Sequence, residues 1–80
     1  MNEKVMIRKN RQIGIAQCIL EGKSTRQTAE EYGISRFTVK RDLEELYCTG
    51  YGKDEKEIKR NRLLAYKALK IIESRTTRKE

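Results

Sequence analysis

The stretch Ser24-Thr25-Arg26-Gln27-Thr28-Ala29-Glu30-Glu31-Tyr32-Gly33-Ile34-Ser35-Arg36-Phe37-Thr38-Val39-Lys40-Arg41-Asp42-Leu43-Glu44-Glu45-Leu46 holds two helix starts and one tight turn. Ser24 with Gln27 three residues on is a capping-box arrangement, in which each side chain can satisfy a main-chain N–H of the other residue. It predicts a short helix over about 25–32. Gly33 stops that helix, because glycine adopts a left-handed backbone without a Cβ penalty. Ser35 is a fresh N-cap, so a further helix is expected over about 36–47. Ala29 supplies the small side chain that two steeply crossing helices need, and Ile34 and Val39 are placed to fill the space between them.

Projected at 100° per residue, Val39, Leu43 and Leu46 fall within about 60° of one another and define the buried face of the later helix. The opposite face carries Phe37, Lys40, Arg41 and Glu44, with Arg36 on its N-terminal flank. A helix held by an Ala/Gly turn, with cations near its start and outside, has the form of a recognition helix entering the major groove. Arg and Lys pair with guanine O6 and N7, and an apolar ring can touch a thymine methyl. Ser35, Arg36, Phe37, Lys40 and Arg41 are the candidate base-reading residues. The helix starts suit phosphates, because their main-chain N–H groups are free. Ser24, Arg26, Gln27 and Thr38 are therefore candidates for the DNA backbone. Ala, Gly, Ile and Val at this spacing also occur in helical hairpins that bind nothing.

Working outward, Ile13, Ala16 and Leu20 recur at helical spacing upstream, with Ile15 and Ile19 widening the stripe. A first helix is expected over about 7–21, ended by Gly22. Downstream, residues 48–53 form a glycine-punctuated loop, and Asp54 with Glu57 is a second capping box. A last helix is expected over about 55–74, followed by a frayed tail over Thr76–Glu80. On it, Ile58, Leu64, Ala65, Ala68, Leu69, Ile71 and Ile72 span about 160° of arc. Lys59, Arg60, Arg62, Lys67 and Lys70 take the other side, with Leu63 and Tyr66 among them. Lys59, Arg60, Lys67 and Lys70 are further candidates for DNA phosphates. The same pattern also fits a helix docked on the core with a solvated lysine face.

The chain has 80 residues, no proline and no sustained strand-like alternation, so the expected fold is all-α. It is read as one domain over residues 1–80: a three-helix unit with a helix-turn-helix at about 24–47, and a basic C-terminal helix at about 54–75. Net charge is +7 and 39% of residues are charged. A pI near 9.7 suits a partner made of phosphates. The excess is uneven, at +2 over residues 1–22, zero over 23–47 and +5 over 48–80. An 80-residue domain has a thin core, and a deep catalytic pocket is hard to build from it. With no histidine, no glycine-rich phosphate loop and no nucleophile–base pair, an enzyme is not expected. Glu30-Glu31 and Glu44-Glu45 are neighbours on helices and point their carboxylates apart.

Cys18 and Cys48 form no CxxC pair, so no metal, no other cofactor and no small-molecule ligand is expected. Cys18 lies in an apolar run and reads as a buried small residue. No apolar stretch has the length of a signal peptide or a membrane span, which points to a cytoplasmic, nucleoid-associated protein with no membrane partner. No leucine heptad is evident, which points to a monomer.

The run from Ala29 to Leu43, with chain length, Ile13, Gly14 and Ile19 upstream and a basic last helix, resembles the stage III sporulation protein D family. The resemblance covers about residues 8–75. It implies a small bacterial transcriptional regulator that binds double-stranded DNA, with Ser35, Arg36, Phe37, Lys40 and Arg41 in the recognition positions. Thr28 departs from the apolar residue usual at its position, and Phe37 from a small polar one. Residues 35–46 also resemble the recognition helix of DeoR-type repressors, but residues 48–53 are too few for the wing of that family. The reading from another class is a protein-interaction module whose basic helix grips an acidic partner.

Overall fold

The computed structural model describes the backbone of residues 3–79 and the side chains of residues 3–75. Among the described residues the fold is all-α, with four helices and no strand: α1 (Glu3–Leu20), α2 (Thr25–Tyr32), α3 (Arg36–Thr49) and α4 (Glu55–Lys79). The turn between α2 and α3 is Gly33-Ile34-Ser35. Gly33 sits at φ 65° and Ile34 returns its N–H to the Ala29 carbonyl at 2.9 Å.

The capping pattern is in place. Ser24 Oγ accepts from the Gln27 N–H at 3.0 Å, and Gln27 Oε1 accepts from the Ser24 N–H at 3.2 Å. Ser35 Oγ accepts from the Thr38 N–H at 3.1 Å. The box at α4 is displaced by one residue. Asp54 accepts from the Glu57 N–H as expected, but the Glu57 carboxylate accepts from the Lys53 N–H, one position before the cap. Thr28 is fully buried, and its hydroxyl donates to the Ser24 carbonyl at 2.9 Å. The main chain thus absorbs the polar group that stands where an apolar one is usual.

The core joins all four helices: Ile15, Ala16 and Ile19 from α1, Ala29 from α2, Val39 and Leu43 from α3, Ala68 and Ile72 from α4. Tyr32, Ile34, Leu64, Leu69 and Ile71 pack around it. Gly14 makes room for the Tyr32 hydroxyl, because a Cβ there would collide with it. The buried face of α1 is rotated from the expected stripe. Gln12, Ile15, Ala16 and Ile19 are buried, whereas Ile13 and Leu20 are half-buried. Polar Gln12 and Lys9 belong to the inner face, and an apolar pattern cannot register them.

Three helix bounds differ from expectation. α1 includes residues from Glu3 on instead of from about residue 7; Val5, Met6 and Ile7 are exposed, so this added turn leaves no core periodicity to read. α3 runs to Thr49 instead of 47. The Thr49 hydroxyl donates back to the Glu45 carbonyl, and Gly50, at φ 70° and ψ 176°, provides the break. α4 continues to Lys79, so Thr76–Lys79 are helical instead of frayed; neither glycine nor proline interrupts that end. Glu80 of the expected tail lies outside the described residues. Cys18 and Cys48 are both free thiols, Cys18 buried and Cys48 exposed.

Candidate nucleic-acid interface

α3 has three faces with different tasks. Val39, Leu43 and Leu46 are fully buried. One flank meets α1. There Asp42, also buried, takes Arg11 at 2.8 Å and the Gln12 amide at 3.4 Å. One turn on, Glu45 takes Lys9 at 3.2 Å and Arg8 at 3.0 Å, while Lys9 also donates to Thr49 Oγ1 at 2.5 Å. Burial works to raise the Glu45 carboxyl, but the hydrogen bonds from Lys9 and Gln12 and the nearby positive charges win and hold it below its ordinary value. These contacts reinforce the rotation of α3 that the burial of Val39, Leu43 and Leu46 sets.

What looks outward is the predicted set. Ser35, Arg36, Phe37, Lys40 and Arg41 are all exposed, and Phe37 is 85% exposed. Ser35 Oγ also lies 3.0 Å from Thr38 Oγ1, so the half-buried Thr38 side chain is engaged in the cap. At the start of α2, Ser24, Arg26 and Gln27 are exposed, but Arg26 faces Glu30 at 3.8 Å. An open notch of about 340 Å³, lined by Thr25, Arg36, Phe37, Lys40 and Ile72, joins the starts of α2 and α3 to the C-terminal half of α4.

The ion pairs divide the cations into two groups. Arg8, Lys9, Arg11, Lys23, Arg26, Arg60 and Lys70 each have a carboxylate within 4.0 Å. Among the described residues, Arg36, Lys40 and Arg41 have none, and neither do Lys59 and Lys67. The free positive charge therefore concentrates on the outer face of α3 and on α4.

α4 presents two edges. Arg62 donates to the Cys48 carbonyl at 3.2 Å, and the Tyr66 ring lies 5.8 Å from that of Tyr47, so this edge borders α3. Lys59 and Lys70 lie about 40–60° from it, near the centre of the exposed side. Arg60 and Lys67 lie about 140–160° from Arg62, toward the α1 side. There Glu57 and Asn61 share a surface depression with Met6, Asn10 and Ile13. The structure thus brings Lys59 and Lys70 toward the α3 side of α4, and does not bring Arg60 and Lys67 with them. Lys70 also lies 5.5 Å over the Tyr66 ring.

A second polar cluster pins α1 to α2 and lies away from this face. Lys23 and Glu31 pair at 2.7 Å, which holds the Glu31 carboxyl below and the Lys23 ammonium above their ordinary values. Burial pushes the Cys18 thiol up, so it stays protonated at neutral pH.

A family model for stage III sporulation protein D matches residues 4–79, which is nearly the whole chain. The chain belongs to the stage III sporulation protein D family. That family consists of sporulation-associated DNA-binding transcription regulators, and the exposed cations on α3 and α4 suit a stage III sporulation protein D relative in charge. No curated protein and no solved structure matches the chain significantly. No helix among the described residues is long and apolar enough to cross a membrane. What sequence reasoning missed in this family member is the support behind the interface: Lys9, Arg11 and Gln12 against Asp42 and Glu45. Arg8, Lys9 and Arg11 on one helix and Asp42 and Glu45 on another do fall at helical spacing, but nothing local in the sequence brings the two sets together.

Proposed function

We propose that the chain is a sequence-specific transcription regulator whose residues 24–49 form a helix-turn-helix, with α3 lying in the major groove of double-stranded DNA. Arg36, Lys40 and Arg41 pair with base edges, Phe37 supplies an apolar contact, and Ser35 caps the helix that carries them. Ser24, Arg26, Gln27 and Thr38 stand at the helix starts, where main-chain N–H groups and the helix dipole favour phosphate. Lys59 and Lys70, with Arg60 and Lys67 farther round α4, take backbone phosphates beside the groove. The observation that carries this reading is the set of cations without a carboxylate partner, Arg36, Lys40 and Arg41, around an exposed ring on the first turns of α3. The protein acts as one domain and as a monomer.

A binding titration at several salt concentrations, on a selected duplex and on random-sequence duplex, tests it. Lys40→Ala or Arg41→Ala should weaken binding to the selected duplex by about 1–3 kcal/mol and cost less on random DNA. Equal losses on both would make the residue a backbone contact, and no preference for any duplex would overturn the reading.

One observation favours a second reading, an acidic protein partner on α4. Tyr47, Leu63 and Tyr66 are exposed together with Lys59 and Arg62 around an open notch of about 420 Å³, and aliphatic surface gains nothing from phosphate. Leu63→Ala separates the two, since it should leave DNA affinity unchanged.

A further inference from the structure

Phe37 has no role in the folded chain. It is 85% exposed, contributes nothing to the core, and among the described residues it neither stacks on another ring nor lies under a cation. Its position is specific all the same. It sits in the first turn of α3, between Arg36 and the Lys40–Arg41 pair, and forms one wall of the notch shared with Thr25 and Ile72. Burial of Val39, Leu43 and Leu46 on the opposite face of α3 turns this ring outward. An apolar ring on that turn needs an apolar partner, and the edges of the major groove offer one such group, the C5-methyl of thymine. Phosphates, sugar oxygens and the other base edges are polar.

We propose that Phe37 reads a thymine C5-methyl, and that the preferred site therefore holds a thymine next to the guanines read by Arg36, Lys40 or Arg41. This rests on α3 being the recognition helix and goes further, by naming the chemical group read. It also gives the exposed aromatic side chain a specificity task. Methylated cytosine carries the same group at the same ring atom, so the reading extends to 5-methylcytosine.

The test begins with a duplex selected by the full chain from random sequence. Each thymine is replaced in turn by deoxyuridine, which removes the methyl and leaves every hydrogen-bonding group. One position should weaken wild-type binding about three- to fivefold, the worth of one buried methyl. Phe37→Ala should bind more weakly and be indifferent to that replacement. Exchanging the same T·A pair for C·G should hurt less when the cytosine carries a 5-methyl group. Because Phe37 is exposed, the variant should melt as the wild type does. No deoxyuridine-sensitive position, or equal sensitivity in wild type and Phe37→Ala, overturns the methyl reading while leaving α3 as the recognition helix. Failure to select any duplex overturns both. Methyl-independent binding with the adjacent bases unstacked, seen as a rise in 2-aminopurine fluorescence, would make Phe37 a wedge and also overturn it.

Discussion

The Arg11 guanidinium lies 2.8 Å from the Asp42 carboxylate, and Asp42 is a buried acid on the flank of the helix that carries the candidate base-reading side chains. A buried carboxylate without its cation is costly. Arg11→Ala should therefore destabilise the fold by about 1–3 kcal/mol, with the Gln12 amide left as a partial partner. Replacing both residues, as Arg11→Met with Asp42→Leu, should recover most of that loss. Urea unfolding checks both; additive losses in the double variant would mean that the pair does not interact.

Glu45 carries a pH dependence of known sign. Its carboxyl is held below the ordinary value of 4.5, so its contribution to stability is complete above that pH. The contribution is lost as pH falls below about 4.5 through the folded-state value. Glu45→Gln should flatten stability against pH in that acid range and lower it at neutral pH. A thermal melt at steps from pH 7 to pH 3 measures it, and an unchanged acid slope in the variant would disprove the coupling.

Gly50 makes the α3–α4 connection. Its φ of 70° with ψ of 176° is a backbone region kept for glycine, and a Cβ there would come within 2.6 Å of Ile58 Cγ2 and 3.0 Å of Arg62 Nε. Gly50→Ala should cost about 2–4 kcal/mol, since strain and overpacking act together. The melting temperature should fall by roughly 8–32 °C in a chain of this size. By contrast, Gly22 also has a positive φ but open space around it, so its substitution should cost less.

On α4, Lys→Gln at positions 59, 67 and 70 deletes charge while keeping length and helix propensity. Each phosphate contact removed should make the salt dependence shallower by about 0.9 in the log–log slope. Sequence preference should survive, because phosphate contacts position the protein and base contacts specify. The edges of α4 add a ranking: Lys59→Gln or Lys70→Gln alone should change the slope more than Lys67→Gln, which lies toward the α1 side. Equal effects from all three would remove the distinction, and no effect from the triple variant would return this face to plain solvated surface.

The turn of the chain around Gly33 was legible because its chemistry is local. Ser24 and Gln27, Gly33, and Ser35 act on neighbours within a few residues, so the starts of α2 and α3 and the turn between them follow from the sequence alone. So does the outward face of α3, since Val39, Leu43 and Leu46 can be buried together in only one rotation of a helix. The run of α3 to Thr49 and of α4 past residue 74 carried no such signal: the first rests on the Thr49 hydroxyl bond to Glu45, the second on the lack of a breaker. The Lys9–Glu45 and Arg11–Asp42 pairs join residues more than thirty positions apart. A polar residue reads as surface in a sequence, and only a partner brought to it by the fold can bury it. The two edges of α4 are likewise a tertiary fact: periodicity separates wet from dry, but which wet edge lies beside α3 depends on how two helices pack.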